Sequence, residues 1–225
     1  MSPHEVGLTC QPSTLLDTKG CTQGGYPTYT LNASNVAQIQ LAVNFARNTG
    51  IRFVVKNTGH DFLGKSSGAG SLSVWMHGFK DMEFIPSYQG SGWSGAAIRV
   101  GAGAQGFELT DFADQNDVTT LSGLCVTVGV PGGWIQGGGH SPLSPLFGMG
   151  ADQILSMEVV TSDGRFVKAS RKDNPDLFWA LSGGGAGTYG VVTSVTMKAH
   201  PKLPGHSPIQ RTSPKTLSSK QCAPG

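Results

Sequence analysis

The chain has 225 residues, of which 38% are hydrophobic and 13% are charged, and its formal net charge is +2. The hydrophobic fraction is sufficient for a folded core, while the charged fraction is well below the roughly 25% that is typical of soluble domains. No basic run or stripe is present, and no apolar stretch approaches the roughly 20 residues of a membrane-spanning helix. The composition therefore favours a globular protein and excludes nucleic acid and membranes as expected partners.

The cysteines do not form a Cys-x-x-Cys pair, so neither a zinc ribbon nor another metal site is expected. Their positions are Cys10, Cys21, Cys125 and Cys222. Cys10 and Cys21 lie in a Pro/Gly/Thr-rich lead-in, where a disulfide between them would close a short loop and indicate an oxidising compartment. Residues 32–34 form a glycosylation sequon, although Ser34 is equally explained as a helix N-cap. Met-Ser-Pro-His-Glu at the N-terminus lacks the apolar core of a signal peptide.

In the first half of the chain, hydrophobic periodicity predicts a β-α-β unit followed by further strands. The unit comprises an extended run at 26–31, a helix that begins at Ser34 and ends near 48–50, and a buried strand at 51–55. After a loop over 57–70, strands are predicted at 72–76, 82–85 and 98–100, with residues 86–96 as turns. A helix is predicted over 106–116, with one side formed by apolar residues.

The second half is predicted to alternate short strands with glycine-rich loops. A strand at 118–121 leads into a segment in which Cys125 opens a short β-like run. Ser162-Asp163-Gly164 is a strong hairpin signal between strands at 154–160 and 165–169. A short helix over 174–180 and a strand over 191–198 follow, and the Pro/Ser/Lys-rich sequence beyond Pro201 is expected to be disordered.

The most distinctive stretch is residues 123–141, which contain six glycines between Gly129 and Gly139. Such a cluster is expected where the backbone takes positive φ or lies against a flat or phosphorylated group. A flexible linker would carry serine and polar filler, whereas valines, Trp134 and Ile135 are interleaved here. We interpret the stretch as the wall of a cofactor site.

Two short motifs suggest other nucleotides. Residues 59–66 match the P-loop pattern after a strand, but a P-loop needs a helix to begin at its Lys-Ser, and here Ser-Gly-Ala-Gly and a strand follow. Residues 101–106 match a dinucleotide fingerprint between a strand and a helix, without the acidic residue expected at the end of the next strand. A nicotinamide-dinucleotide Rossmann-type dehydrogenase therefore stays as an alternative, and nucleotide triphosphate hydrolysis is not favoured.

Three further runs together resemble one family. They are Asn57-Thr-Gly-His-Asp-Phe-Leu-Gly-Lys-Ser-Ser67, Gly123-Leu-Cys-Val-Thr-Val-Gly129 and Gly137-Gly-Gly-His140. They closely resemble the FAD-binding domain of the berberine-bridge-enzyme-like oxidoreductases of the vanillyl-alcohol-oxidase superfamily, nearest to its fungal secreted and secondary-metabolite members. The resemblance implies an α+β, two-subdomain PCMH-type FAD-binding fold, with a small β-α-β N-terminal part and a larger mixed sheet with flanking helices. This domain is expected over 26–203, between the lead-in at 1–25 and a disordered tail at 204–225.

The resemblance also implies FAD as cofactor, with His60 bonded through a ring nitrogen to the flavin 8α-methyl and Cys125 bonded through sulfur to C6. Imidazole nitrogen and thiolate are nucleophiles that suit such bonds. Val126 stands where most family members have proline after the cysteine. From the residues alone, His60 is also explained as the cap of a turn and Cys125 as a small buried core residue.

The remaining implied contacts are backbone donors to the pyrophosphate and residues that line the ring, the ribityl chain or the adenine side. The whole implied cofactor-binding set is His60, Cys125, Thr58, Gly59, Asp61, Gly64, Ser66, Ser67, Val128, Gly129, Gly132, Gly133, Gln136, Gly139, His140, Gly190 and Val192. The other histidines, His4, His77, His200 and His206, are interpreted as surface residues.

The implied reaction is oxidation of a small organic substrate by hydride transfer to FAD, with molecular oxygen reoxidising the cofactor. The resemblance further implies secretion and a substrate-binding domain beyond this sequence, so no catalytic base is named. A flavin-binding fragment without turnover is the alternative of a different class.

Overall fold

Residues 22–204 are described by the structure, a computed structural model, and they form two main sheets and a two-stranded ribbon. The predicted Cys10–Cys21 disulfide and nearly all of the predicted tail lie outside the described residues. In chain order the elements are β1 (Tyr29–Asn32), α1 (Val36–Thr49), β2 (Arg52–Lys56), β3 (Ser71–Trp75), β4 (Met82–Gly90), β5 (Trp93–Gly101), α2 (Gly106–Gln115), β6 (Val118–Thr119), α3 (Ser144–Phe147), β7 (Ile154–Val160), β8 (Phe166–Ser170), α4 (Pro175–Leu181), β9 (Val191–Lys198) and β10 (His200–Pro201). In the described part of the chain, no helix has the length and hydropathy to cross a bilayer.

The smaller sheet has the order β1-β3-β2, and its strands are parallel. Helix α1 connects β1 to β2 and buries Ile39, Ala42 and Val43 against this sheet. Its N-cap is Asn35, whose side chain accepts from the Gln38 N–H at 3.0 Å, so the expectation that Ser34 caps the helix was wrong by one residue. The predicted β-α-β part is confirmed.

The larger sheet has the order β4-β5-β9-β7-β8. Every pair in it is antiparallel, so the expectation of a mixed sheet was wrong in that detail. Two of the four pairs, β4–β5 and β7–β8, are hairpins, and a tight turn imposes the antiparallel direction on them. Its core packs against α2 and α4, while Val160 and Val191 also reach the core of the smaller sheet.

Residues 86–96, predicted as turns, continue β4 and β5 into one long hairpin that reverses at Ser91 and Gly92. Pro86 falls at a register irregularity in β4, which is an edge strand, and both positions tolerate the missing N–H of proline. The β-like run at Cys125 is also absent, since this segment forms turns with an isolated bridge between Gln105 and Gly129.

The topology bears on both nucleotide motifs. No helix begins at Lys65 or Ser66, because turns and then β3 follow, so the segment lacks the helix N-terminus of a P-loop. After α2 the chain enters β6, which pairs with β10 rather than lying parallel to β5. Residues 101–106 therefore do not belong to a parallel β-α-β unit of the Rossmann kind.

Steric contact explains two glycines of this second motif. A Cβ on Gly103 would lie 2.4 Å from the His77 carbonyl oxygen, and one on Gly101 would lie 2.4 Å from that of Phe79. Both neighbours are backbone atoms, which cannot move aside as a flexible side chain can. The glycines allow the end of β5 to pass close to the segment after β3, and thereby join the two sheets.

Gly103→Ala is expected to destabilise the domain by about 3 kcal/mol because of this overpacking, which lowers Tm by about 6–12 °C for a chain of this size. Gly137→Ala is the matched control, since nothing lies within 4 Å of its added Cβ. Thermal unfolding followed by circular dichroism measures both. Equal Tm values for the two variants would contradict the packing explanation.

His200, which we interpreted as a surface residue, is buried with 8% exposure. Its ring stacks on Phe147 with a centroid distance of 3.9 Å, and its Nε2 lies 2.8 Å from Gln153 Oε1. Because Oε1 can only accept, Nε2 carries the proton. Burial, and secondarily the charge of Lys198, lower the pKa of His200 below its usual 6.5.

A lowered pKa in the folded state makes the neutral histidine stabilising above about pH 6.5, and this contribution is lost as pH falls towards the folded-state value. We expect Tm to fall from about pH 7.5 to about pH 5.5, with each such histidine contributing at most about 1.4 kcal/mol of unfolding free energy per pH unit. His200→Gln should make this pH dependence shallower. A slope in His200→Gln equal to that of the wild type would contradict the assignment to His200.

Candidate functional site

The loop after β2, residues 57–67, is organised by Asp61. Its carboxylate accepts from the Lys65 N–H at 2.8 Å and from the Ser66 hydroxyl. Gly59 and Gly64 have φ of 83° and 69°, a conformation that favours glycine. The predicted contact of Asp61 with the cofactor stays a prediction: its oxygens accept hydrogen bonds within the turn, and its carboxylate would repel a phosphate placed beside it.

The same loop presents backbone donors. Among the described residues, the N–H groups of Thr58, Gly64 and Ser66 have no protein acceptor, so they are available to donate to an anion. The Ser66 hydroxyl donates to Asp61 and the Ser67 hydroxyl donates to the Gly25 carbonyl at 2.8 Å. Both hydroxyl protons are therefore used within the protein, so any donation from these serines to a phosphate must come from the backbone.

The predicted cofactor wall, residues 129–139, folds as a π-helical turn (Val130–Trp134) and a 3₁₀ turn (Ile135–Gly137). Asn57 packs against it: a Cβ on Gly129 or Gly132 would lie 2.5 Å or 1.8 Å from the Asn57 amide nitrogen. That nitrogen donates to the Ala102 carbonyl at 2.5 Å. Asn57 thus holds the loop after β2, the end of β5 and the wall together.

Other glycines face the ring of Trp134. A Cβ on Gly139 would lie 3.0 Å from this indole, and Gly123 and Gly150 also contact it. The flat group that we expected beside the glycines is here, in part, a side chain of the protein itself. Of the four predicted lining glycines in the wall, Gly133 alone has open space at its Cβ position.

A third segment, residues 183–190, closes the region. The Gly185 N–H donates to the Gln136 carbonyl at 2.9 Å, and Lys65 Nζ donates to the Thr188 hydroxyl at 3.1 Å. Gln136 is 2% exposed, and its Oε1 has no hydrogen-bond partner among the described residues. A buried amide oxygen of this kind requires a donor, which a bound ligand or water supplies.

The remaining predicted residues are placed as follows. The Val192 side chain is buried in the core of the larger sheet, so only its backbone is available to a cofactor. Gly190 packs against Val159, and Val128 is half-buried beside the start of α2. The His140 side chain is exposed, while its carbonyl accepts from Trp134 Nε1 at 3.2 Å.

His60 and Cys125 meet at one hydroxyl. His60 Nε2 lies 2.9 Å from Thr127 Oγ1, and Cys125 Sγ lies 3.5 Å from the same oxygen. The two predicted attachment residues, far apart in sequence, are therefore side by side, and both are half-buried. Cys125 is disulfide-bonded, and a disulfide sulfur offers no thiolate until it is reduced.

Burial lowers the pKa of His60 below 6.5, so its imidazole is neutral at neutral pH and retains one nucleophilic nitrogen. Unpaired backbone donors, a neutral imidazole beside a sulfur, and a buried oxygen without a donor together fit a dinucleotide with a reactive aromatic ring. Within residues 22–204, no group of His, Cys, Asp and Glu side chains is arranged to hold a metal ion.

Three residues with clear roles were missed from sequence. Asn57 and Thr127 lie inside the quoted motifs, but nothing local indicates that their side chains join separate segments. His77, interpreted as a surface residue, is half-buried, and its ring stacks on that of Trp75 with a centroid distance of 5.6 Å. Its Nδ1 is buried and has no hydrogen-bond partner among the described residues.

Comparison with known proteins agrees with this geometry. A family model described as an FAD binding domain matches residues 27–170. The FAD-linked oxidoreductase ZEB1 of Gibberella zeae is 45% identical over 201 residues, which are 89% of this chain and 35% of that protein. The chain thus spans about a third of the length of this curated relative.

Solved structures confirm the predicted fold. The VAO-type flavoprotein MtVAO615 of Myceliophthora thermophila is similar with a TM-score of 0.80 and 47% identity, over 82% of this chain and 34% of that one. The berberine-bridge-enzyme-like protein 1 of Physcomitrella patens is similar with a TM-score of 0.68 and 32% identity, over 76% and 36% of the respective chains. The chain therefore belongs to the FAD-binding domain family, in the form shared with VAO-type and berberine-bridge-enzyme-like flavoproteins.

Proposed function

We propose that this chain is the flavin-binding portion of an FAD-dependent oxidoreductase that oxidises a small organic substrate and uses molecular oxygen as electron acceptor. The single observation that carries the proposal is the meeting of His60 and Cys125 at the Thr127 hydroxyl. The disulfide explains a structural role of Cys125 but does not explain why His60 lies beside it at a half-buried edge next to the glycine-rich wall. A role for both residues as nucleophiles at the rim of a flat electrophilic ring does explain it.

Different residues of the site are proposed to contact different parts of FAD. The unpaired N–H groups of the loop after β2 hold the pyrophosphate, and Lys65, tied to Thr188, adds positive charge beside it. Gly133 and the buried Gln136 oxygen face the ring or its ribityl chain. When bound, FAD supplies two-electron oxidation chemistry.

His60 is proposed as the covalent attachment point, since its neutral imidazole can act as a nucleophile at neutral pH. Cys125 is proposed as a second attachment point that becomes available when its disulfide is opened. A covalent bond fixes the ring edge without requiring a deep enclosing pocket, which suits a site whose attachment residues are half-buried.

The alternative is a flavin-binding module without turnover. The two proposals share the fold and the site and differ in whether substrate is oxidised. Of the residues that the structure describes, none is assigned as a substrate base, because the chain spans only 35% of ZEB1 and most of it matches a family model described as an FAD binding domain.

The attachment proposal is tested by intact mass after denaturation of protein expressed in an oxidising host. The wild type is expected to carry the mass of one FAD, less the hydrogens displaced by each new bond. His60→Ala should lose the nitrogen bond and, as long as the Cys125 disulfide stays closed, should release flavin on acid denaturation. His200→Gln, at a histidine that stacks on Phe147 and lies outside the predicted cofactor-binding set, is the control and should retain covalent flavin.

The ranking of the two linkages is open to direct contradiction. If Cys125→Ala releases all flavin while His60→Ala retains it, the sulfur is the principal attachment and our assignment of His60 is wrong.

Turnover is tested by mixing the yellow protein anaerobically with alcohol, sugar and polyketide-like donors and recording the flavin absorbance. Bleaching by a donor, followed by recovery of the spectrum when oxygen is admitted, is expected for an oxidoreductase of the proposed kind. A spectrum unchanged by every donor favours the module without turnover. Bleaching that persists in oxygen contradicts the assigned acceptor, and binding of NADH instead of FAD would favour the nicotinamide alternative.

A further inference from the structure

Thr127 is exposed to solvent, yet its hydroxyl has two partners. Its Oγ1 lies 2.9 Å from His60 Nε2 and 3.5 Å from Cys125 Sγ. A hydroxyl has one proton to donate and two lone pairs to accept with. The directions of these two contacts therefore constrain each other.

The state of the Cys125 sulfur determines which group donates in its contact with Thr127. A disulfide-bonded sulfur carries no proton, so Cys125 Sγ can only accept, and the Thr127 hydroxyl is the donor in that contact. Both contacts are hydrogen bonds at the same time only when Oγ1 donates to sulfur and accepts from His60, and in that arrangement Nε2 carries the hydrogen. A neutral imidazole has one N–H, which leaves Nδ1 with the free lone pair.

Thr127 is held in place by a hydrogen bond to its backbone carbonyl. Gln105 Nε2 donates to the Thr127 carbonyl at 2.7 Å, and the Gln105 N–H donates to Glu108 Oε2 at 2.8 Å. Lys80 Nζ lies 2.6 Å from the same Glu108 oxygen. Thr127 is thereby anchored to the first turn of α2 and not left to the mobility of a surface loop.

We propose that Thr127 is a positioning residue for flavin attachment, whose hydroxyl fixes His60 as the Nε2–H tautomer and presents Nδ1 as the nucleophilic nitrogen. The identity of the electrophile rests on the proposed function, whereas the tautomer does not. In the overall attachment step, a C–N bond replaces one methyl C–H bond and one imidazole N–H bond. The two electrons and two protons released reduce one dioxygen to hydrogen peroxide.

The first measurement is the tautomer of His60 in the flavin-free protein, read from ¹⁵N shifts of labelled histidine and assigned by the signal lost in His60→Gln. Wild type and Thr127→Ser, which retain the hydroxyl, should show the Nε2–H form. Thr127→Val, of similar shape but without a hydroxyl, should show a mixture of tautomers. Cys125→Ala frees the hydroxyl proton to donate to Nε2 and should increase the Nδ1–H form.

The second measurement is the rate at which added FAD becomes covalently bound. Thr127→Val should lower this rate about tenfold, the effect of losing one hydrogen bond, while reversible FAD affinity changes by less than about twofold. Thr127→Ser should restore the rate to within about threefold of wild type, since it keeps the hydrogen bond. A merely structural role of Thr127 would lower affinity and rate together and would leave the tautomer unchanged.

The proposal is overturned if wild-type His60 is the Nδ1–H form, or if Thr127→Val keeps the wild-type tautomer and rate. An unchanged tautomer in Cys125→Ala overturns the assigned direction of the hydroxyl. If the wild type binds no FAD, the proposed function fails, but the nitrogen shifts still decide the role of Thr127.

Discussion

The contact on which the site depends is the insertion of Asn57 into the glycine-rich wall. The side-chain nitrogen of Asn57 donates to the Ala102 carbonyl, and the backbone carbonyl of Asn57 accepts from Trp75 Nε1 at 2.8 Å. Gly129 and Gly132 leave room for the Asn57 side chain. A side chain at either glycine would force the wall away from the loop after β2. His60 and Thr127, which lie on these two segments, would then separate.

This contact has an energetic cost. Asn57 Oδ1 is buried and has no hydrogen-bond partner among the described residues, as is also true of Gln136 Oε1. A buried acceptor left without a donor costs about 1–3 kcal/mol. Asn57 Oδ1 lies next to the wall and Gln136 Oε1 within it, so a ligand or water that donates to either oxygen would recover that cost on binding.

The parts of the fold that could be predicted from sequence are those whose pattern is local. Helix α2 and strand β9 were located to within a residue, because α2 buries a residue about once per turn and β9 is a short run, rich in β-branched residues, that is buried along almost its whole length. The long β4–β5 hairpin was missed because Pro86 and the nearby glycines are typical of turns. Only the position of β4 at the sheet edge makes that proline acceptable, and edge position is a property of the whole sheet.

In the candidate site, too, local features could be predicted from sequence, whereas contacts between distant segments could not. The glycine cluster correctly indicated close approach, but sequence cannot tell whether a missing side chain makes room for a ligand or for the protein. Here Gly139 makes room for Trp134 and Gly132 for Asn57. The burial of His200 also depends on Phe147, which is distant in sequence. The convergence of His60 and Cys125 was anticipated only because both motifs matched one family, since no spacing rule connects them.

The geometry around Thr127 also bears on the order of events at the two attachment residues. A disulfide, a thiolate and a thioether sulfur all lack a proton and can accept from the hydroxyl, whereas a thiol can also donate. The preference for the Nε2–H form of His60 therefore persists through every state of Cys125 except the protonated thiol. Closure of a disulfide at Cys125, or later bonding of that sulfur to the ring, leaves the histidine oriented. Attachment at His60 accordingly does not have to wait for attachment at Cys125.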